Sequence, residues 1–321
     1  MFRLLTKIVA GLALVLLAYV AVGGLMSALA GAPPMRGRMI DIGDGRRMRI
    51  VCEGPPAGGR PTVLFEAGAF GFAADWGAVQ QRLAERGERS CAYDRAGLGY
   101  SDPGPEPRDA LHAAGDLEKL LAAAHEPGPF ILVGHSMAGL HARVFAGRNP
   151  DRIAGIVLLD ATTPEAMDVK RVRDFVGHFE TLSRLAAWGA QAGLYKPLVA
   201  TWFGDKIGLP PAIKPEKRWA FASARHNRWA ADEVGQWPAS AEQARAAGPF
   251  RPEWPVAVIT AGTGAGRRGW KDHQAAPARA AAHGSYANIP DASHASLLGL
   301  DHADAIVKAI DHVRDALTPV A

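Results

Sequence analysis

The sequence predicts an α/β fold, built on one mostly parallel sheet with helices on both faces and interrupted once by a helical insertion. Three observations carry this expectation. Strand-length apolar runs alternate with longer stretches of helical periodicity, as consecutive βαβ units require. Those runs are nearly continuous in apolar residues, the pattern of strands covered on both faces. The rhythm then breaks between Thr163 and about Pro252, where no strand-like run occurs, and resumes afterwards.

Taken in order, the chain opens with "MFRLLTKIVAGLALVLLAYVAVGGLMSALAGAPP", which carries Arg3 and Lys7 and then no charge from Ile8 to Pro34. This run exceeds the ~20 residues of a spanning helix and the ~7–15 of a signal-peptide core. Residues 1–34 are therefore expected to be an uncleaved membrane anchor with a short linker, the rest being exported. Positive charge ahead of the run favours an inside N-terminus, and Arg36 and Arg38 beyond it pull the other way. Ala28-Leu29-Ala30 resembles a small-residue cleavage site, so release after cleavage near Ala30 is the alternative.

"RMIDIGDGRRMRIVCEG" reads as a hairpin turning at Gly43-Asp44-Gly45. "PTVLFEAG", "SCAYDRAG", "FILVGHS" and "IAGIVLLDAT" follow as strands, each succeeded by a helical stretch, and residues 35–162 form the first part of the core. Residues 163–252 are the insertion, with Trp188, Trp202, Trp219, Trp229 and Trp237 set among helical patterns and expected to form its core. An insertion between two strands of one sheet is expected to lie over the C-terminal strand edge, where α/β sheets bind ligands, and so to act as a lid. Residues 253–321 complete the core with "WPVAVITAG", "GSYANIPDASH" and a last helix whose Ala305, Ile306, Ala309, Ile310 and Val313 share one stripe.

The 321 residues are 48% hydrophobic and 21% charged, enough to bury a large core. The net charge of +4 comes from scattered arginines, with no basic run or basic-aromatic alternation of the kind nucleic acid selects. The densest basic stretch, Lys214 to Trp229, reads as a solvated helix face. Cys52 and Cys91 both fall in strand-like segments; they either pair in an oxidising compartment, if those strands are neighbours, or remain buried thiols.

In "FILVGHSMAGLHARVFA", a strand runs into Gly134, His135 and Ser136 before a helix begins. A serine at so sharp a turn has its hydroxyl pushed out of the sheet edge, and the turn demands small residues two before and two after it. Gly134 and Ala138 meet the demand, and no other serine in the chain has Gly or Ala at both positions. The helix that follows points its free N–H groups at any negative charge forming beside Ser136.

Here the chain resembles the α/β-hydrolase superfamily, from about Arg38 to the end, in four stretches that keep the family's order: "FEAGAFGFAADW", "YDRAGLGYSD", "VGHSMAG" and "IPDASHASL". The resemblance is to lidded hydrolases with an "EAG" start to the oxyanion loop where others carry "HG"; one departure is Ala138, commonly Gly. The resemblance implies Ser136 as nucleophile and His294 as general base. For the acid it leaves two positions: Asp160 at the end of the strand after the elbow, as in haloalkane dehalogenases and coelenterazine luciferases, or Asp272 after the later strand. It assigns the oxyanion donors to the backbones of Ala69 and Met137, with Gly68 and Gly71 letting the loop approach. His135 is read as packing, and Asp94 and Arg95 as bracing the surrounding loops.

The implied activity is hydrolysis of a carboxylic ester or similar acyl bond through an acyl-enzyme, without metal or organic cofactor, on a small lipophilic ester. An aspartate in place of Ser136 would have meant dehalogenase or epoxide-hydrolase chemistry. A haloperoxidase-like or aminopeptidase-type use of the same triad, and a binding protein that keeps the fold without turnover, are the alternatives.

Overall fold

The computed structural model describes residues 2–56, 58–200, 205–263 and 268–317. An antiparallel hairpin joins β1 (Arg38–Asp41) to β2 (Arg47–Glu53). Its turn holds Gly43, Asp44 and Gly45 at φ of 86°, 56° and 67°, a left-handed path that two glycines make accessible. β2 pairs antiparallel with β4 (Ser90–Tyr93), and every remaining pairing is parallel. With β3 (Thr62–Glu66), β5 (Phe130–His135), β6 (Ile153–Leu159), β7 (Val256–Ala261) and β8 (Gly284–Ile289), the eight strands lie in the order β1-β2-β4-β3-β5-β6-β7-β8.

Every residue of β3, β4, β5 and β7 is buried, which is the physical reason their sequences are nearly continuous apolar runs. Alternate side chains serve opposite faces. Leu64, Leu132, Ile156, Leu158, Val256 and Val258 join the cluster that includes α3 (Ala110–Ala123) and α4 (Ala138–Arg148). Val63, Phe65, Ile131, Val133, Val157, Leu159 and Ile259 join the other, with α2 (Gly77–Glu85) and α10 (Ala303–Asp315). In α10 the expected stripe is buried at Ile306, Ala309, Ile310 and Val313, while Ala305 sits at its margin.

Between β6 and β7 lie α5 (Lys170–Gln191), α6 (Lys214–Ala222), α7 (Ala224–Gly235) and α8 (Trp237–Ala246); the described residues of this span contain no strand. α9 (Arg268–Ala280) then precedes β8. Trp237 is buried, Trp219 stacks on Tyr100 at 4.7 Å, and the ring of Trp229 lies where a Cβ on Gly97 would fall. Trp202 lies outside the described residues. Trp188 departs from its expected place in an interior, being 72% exposed.

The stretch Lys214 to Trp229 is a correction, because it is not a solvated face. Glu216 is buried and receives Arg49 at 2.6 Å and Arg36 at 3.1 Å, while Lys217 bridges to Asp75 at 2.7 Å. Arg225 donates to the carbonyls of Ser101 and Gly99, and His226 and Asn227 are buried. Glu216, Lys217 and Arg225 sit at the seam between insertion and sheet, matched to partners distant in sequence, so a hydropathy pattern reads them as exposed.

Cys52 and Cys91 stand directly opposite one another in the β2–β4 register and form a disulfide. The bridge joins residues 39 apart, which by the loop-closure argument contributes roughly 4 kcal/mol. Protein isolated without reductant should therefore show no reactive thiol after denaturation and two after reduction, with a lower melting temperature once reduced. Two reactive thiols before reduction would contradict the pairing.

α1 (Phe2–Ala30) is long and apolar enough to cross a membrane: residues Phe2–Met26 have a mean hydropathy of 2.5. Among the described residues, it meets the rest of the protein through its C-terminal half. The Tyr19 hydroxyl donates to the Leu194 carbonyl at 3.1 Å, and a Cβ on Gly23 would collide with Pro197.

Candidate active site

Ser136 ends β5 at φ 58°, a left-handed conformation that a non-glycine residue rarely adopts and that marks a functional turn. The backbone pins it there: Ser136 N–H donates to Leu159 O at 3.1 Å, and Ser136 O accepts from Thr162 N–H at 2.8 Å and Gly139 N–H at 3.1 Å. Crowding explains the small neighbours. A Cβ on Gly134 would lie 3.1 Å from the Ala138 carbonyl, and one on Gly139 only 2.4 Å from the Thr162 carbonyl.

On the loop after β8, His294 places Nε2 2.9 Å from Ser136 Oγ, and its Nδ1 lies 2.6 Å from Asp160 Oδ2. Asp160 follows β6 with φ 42°, fixed by its N–H donating to Ile259 O at 2.6 Å. Burial pushes the Asp160 carboxyl up, but hydrogen bonds from His294 and Gln274 outweigh it and hold the group below its ordinary value. A carboxylate can only accept, so His294 Nδ1 donates to it and Nε2 is left to accept from the serine hydroxyl. The Gln274 side-chain amide occupies the other carboxylate oxygen at 3.0 Å.

Asp272 is not brought to this group. It is exposed on α9, where its backbone carbonyl accepts from Arg279; Gln274, two residues on, is what that helix delivers to Asp160. His135 packs ring against ring with His294, centroids 4.5 Å apart, and its Nε2–H donates to the His294 carbonyl at 2.9 Å. Burial first, and then the neighbouring His294, push the His135 imidazole down to about 3, so it stays neutral and fixes the loop rather than carrying charge.

The Gly68 loop comes hard against the serine: a Cβ there would lie 2.8 Å from Ser136 Cβ. Arg95, buried, donates to the carbonyls of Ala67 and Gly68 and forks to Glu66 and to Glu233 of α7. Holding the Gly68 carbonyl fixes the following trans peptide, whose other face carries the Ala69 N–H. Among the described residues, no backbone hydrogen bond takes the N–H of Ala69 or of Met137. Asp94 braces the neighbouring loops by accepting from Ala73 N–H at 2.9 Å and Tyr100 N–H at 2.8 Å.

Ser136, Asp160 and His294 open into a cavity of about 470 Å³. Val169, Val172, Phe175 and Phe179 from the insertion, with Trp237 and Trp270, make an apolar wall, and Thr162, Arg171 and Gln274 add polar groups. Phe175 stacks on Phe179 at 5.8 Å and meets Trp270 edge-on at 5.6 Å. Gln274, Trp270 and the two phenylalanines carry no motif. Only the apolar periodicity at the start of α5 hinted at a wall there.

A family model described as alpha/beta hydrolase fold matches residues 61–267. An uncharacterized protein of Schizosaccharomyces pombe is 25% identical over 231 residues, covering 70% of this chain and 41% of that protein. The chain spans less than half the length of the curated relatives it matches. Among solved structures, the Cif epoxide hydrolase from Acinetobacter nosocomialis aligns with a TM-score of 0.64 and 18% identity over 86% of this chain and 88% of that one. The enol-lactonase from Burkholderia xenovorans LB400 aligns at 0.59 and 20%, over 87% and 99%. At such identities the likeness is one of fold. The family match, spanning most of the sheet and the turn at Ser136, completes the argument: the chain belongs to the α/β-hydrolase fold family.

Proposed function

We propose that the chain is a serine hydrolase that cleaves a carboxylic ester or similar acyl bond through an acyl-enzyme. One observation carries the reading: an unbroken line of hydrogen bonds from Ser136 Oγ through His294 to Asp160 at the mouth of an apolar cavity. In this reading Ser136 Oγ attacks the acyl carbon as its proton passes to His294 Nε2, and the ionised Asp160 stabilises the imidazolium. The tetrahedral oxyanion is met by the Ala69 N–H in the loop after β3 and the Met137 N–H at the head of α4. His294 returns the proton to the leaving alcohol, then draws one from the water that releases the acyl group.

The serine at the elbow favours acyl chemistry of the kind named for the enol-lactonase neighbour. It argues against the epoxide opening named for the other neighbour, which calls for a carboxylate at that position. The helices of residues 163–252 serve as the lid, since α5 and α8 supply cavity wall, and α1 serves as a single-pass anchor with the catalytic part outside the cytoplasm. The apolar wall suits a lipophilic acyl or alcohol group.

The test is turnover of p-nitrophenyl esters of graded chain length by the full chain in detergent. Hydrolysis is expected, with kcat/KM rising from acetyl to medium chains as apolar carbon fills the wall. No turnover across the series would contradict the proposal.

A further inference from the structure

α5 does more than line the cavity. Its inner face buries Val172, Val176, Ser183 and Ala190, yet its outer face exposes large apolar side chains: Phe175 at 47%, Leu182 at 62%, Leu185 at 61% and Trp188 at 72%. At about 100° per residue, Phe175, Leu182 and Leu185 fall within roughly 80° of arc, and Trp188 continues the band around the helix. Apolar residues of this size on one outer band are not ordinary surface.

Both ends of the band meet something informative. At its C-terminal end, Gly189 lies against the Tyr195 hydroxyl, and the segment from Gly193 to Ala200 is what α1 packs on, through Val20, Gly23 and the Tyr19 hydroxyl. Of the anchor helix's apolar window, 6% is buried. A bilayer that holds α1 is therefore carried to within a few residues of Trp188. At the other end, about 20 Å along the helix at 1.5 Å per residue, Phe175 is a wall of the cavity that holds Ser136.

We propose that the outer face of α5 rests on the bilayer in which α1 is embedded, so that the cavity opens at the lipid surface and takes its acyl substrate from the membrane. The band has the form of an interfacial helix: large apolar side chains ending in a tryptophan suited to the headgroup boundary. The substrate route rests on the hydrolase reading above; the contact with the bilayer does not.

The experiment uses the full chain in phosphatidylcholine vesicles. An environment-sensitive fluorophore is attached through Leu185→Cys, with the native disulfide intact, and a control label through Asp304→Cys on α10. The expected result is a blue-shifted label at position 185, quenched by lipids carrying a nitroxide near the headgroup, and an unquenched label at 304. A chain that washes off the vesicles, or an unquenched label at 185 on bound chain, overturns the proposal. A blue shift without quenching means that a second copy covers the band, and overturns it equally.

Activity separates the two readings. Leu182→Ser, Leu185→Ser and Trp188→Ser combined should lower hydrolysis of a long-chain ester embedded in vesicles several-fold, while a soluble short ester in detergent is turned over as before. Equal rates on both substrates would overturn the membrane route. Quenching at 185 without hydrolysis of either ester would sink the hydrolase reading and leave the docked face standing.

Discussion

Ser136→Ala is expected to fold normally and to lose ester turnover by about 10⁴–10⁶-fold, the range seen where a triad serine is removed. The fold should tolerate the change because the turn is held by backbone hydrogen bonds to Leu159, Thr162 and Gly139, none of which involves the hydroxyl. Alanine also suits the crowding that Gly68 reports around the Cβ. Only the 2.9 Å contact with His294 disappears. The far-ultraviolet spectrum and melting temperature should match the parent while kcat falls; parent-like rates would remove Ser136 from the chemistry.

The second large effect discriminates between two carboxylates. Asp160→Asn should cost about 10⁴-fold in kcat, by analogy with the same change in a characterised triad, whereas Asp272→Asn should stay within a few-fold. The Asp160 carboxylate accepts from both His294 Nδ1 and Gln274, one bond on each oxygen. An amide offers one accepting and one donating group, so it can satisfy Gln274 only by presenting an N–H to His294. That forces the other tautomer and takes the accepting lone pair from Nε2. Because His294 and Gln274 hold Asp160 below the ordinary carboxylate value against burial, the loss should persist across neutral and mildly acid pH. A thousandfold loss in Asp272→Asn with Asp160→Asn unaffected would reverse the assignment.

Much of the architecture was legible because burial writes itself into composition. Strands covered on both sides, such as Phe130–His135, are mostly apolar, and a change in rhythm after Thr163 marks where the sheet pauses. Ser136 was visible because its turn forces Gly and Ala onto neighbouring positions, a local constraint that leaves a local signature. His294 and Asp160 could be placed only through resemblance, since what unites them with Ser136 is the parallel register that brings the C-terminal ends of β5, β6, β7 and β8 to one edge of the sheet.

What the sequence hid depends on how distant elements meet. Gln274 is one of many polar residues until α9 packs beside β7 and brings it to Asp160. The stretch from Lys214 looked solvated because Arg49, Asp75 and the carbonyl of Gly99 are invisible as its partners in one dimension. Trp188 read as interior because size and aromaticity usually mean burial, and its exposure is informative only beside α1 and the outer face of α5.

In the proposed chemistry, the Ser136 hydroxyl at the elbow is made nucleophilic by the imidazole and carboxylate beside it. Reaction of the full chain with a fluorophosphonate, followed by peptide mass spectrometry, interrogates that directly. A single adduct on the peptide carrying Ser136 is expected, absent in Ser136→Ala and formed far more slowly in Asp160→Asn. Modification elsewhere, or a labelling rate indifferent to Asp160, would contradict it.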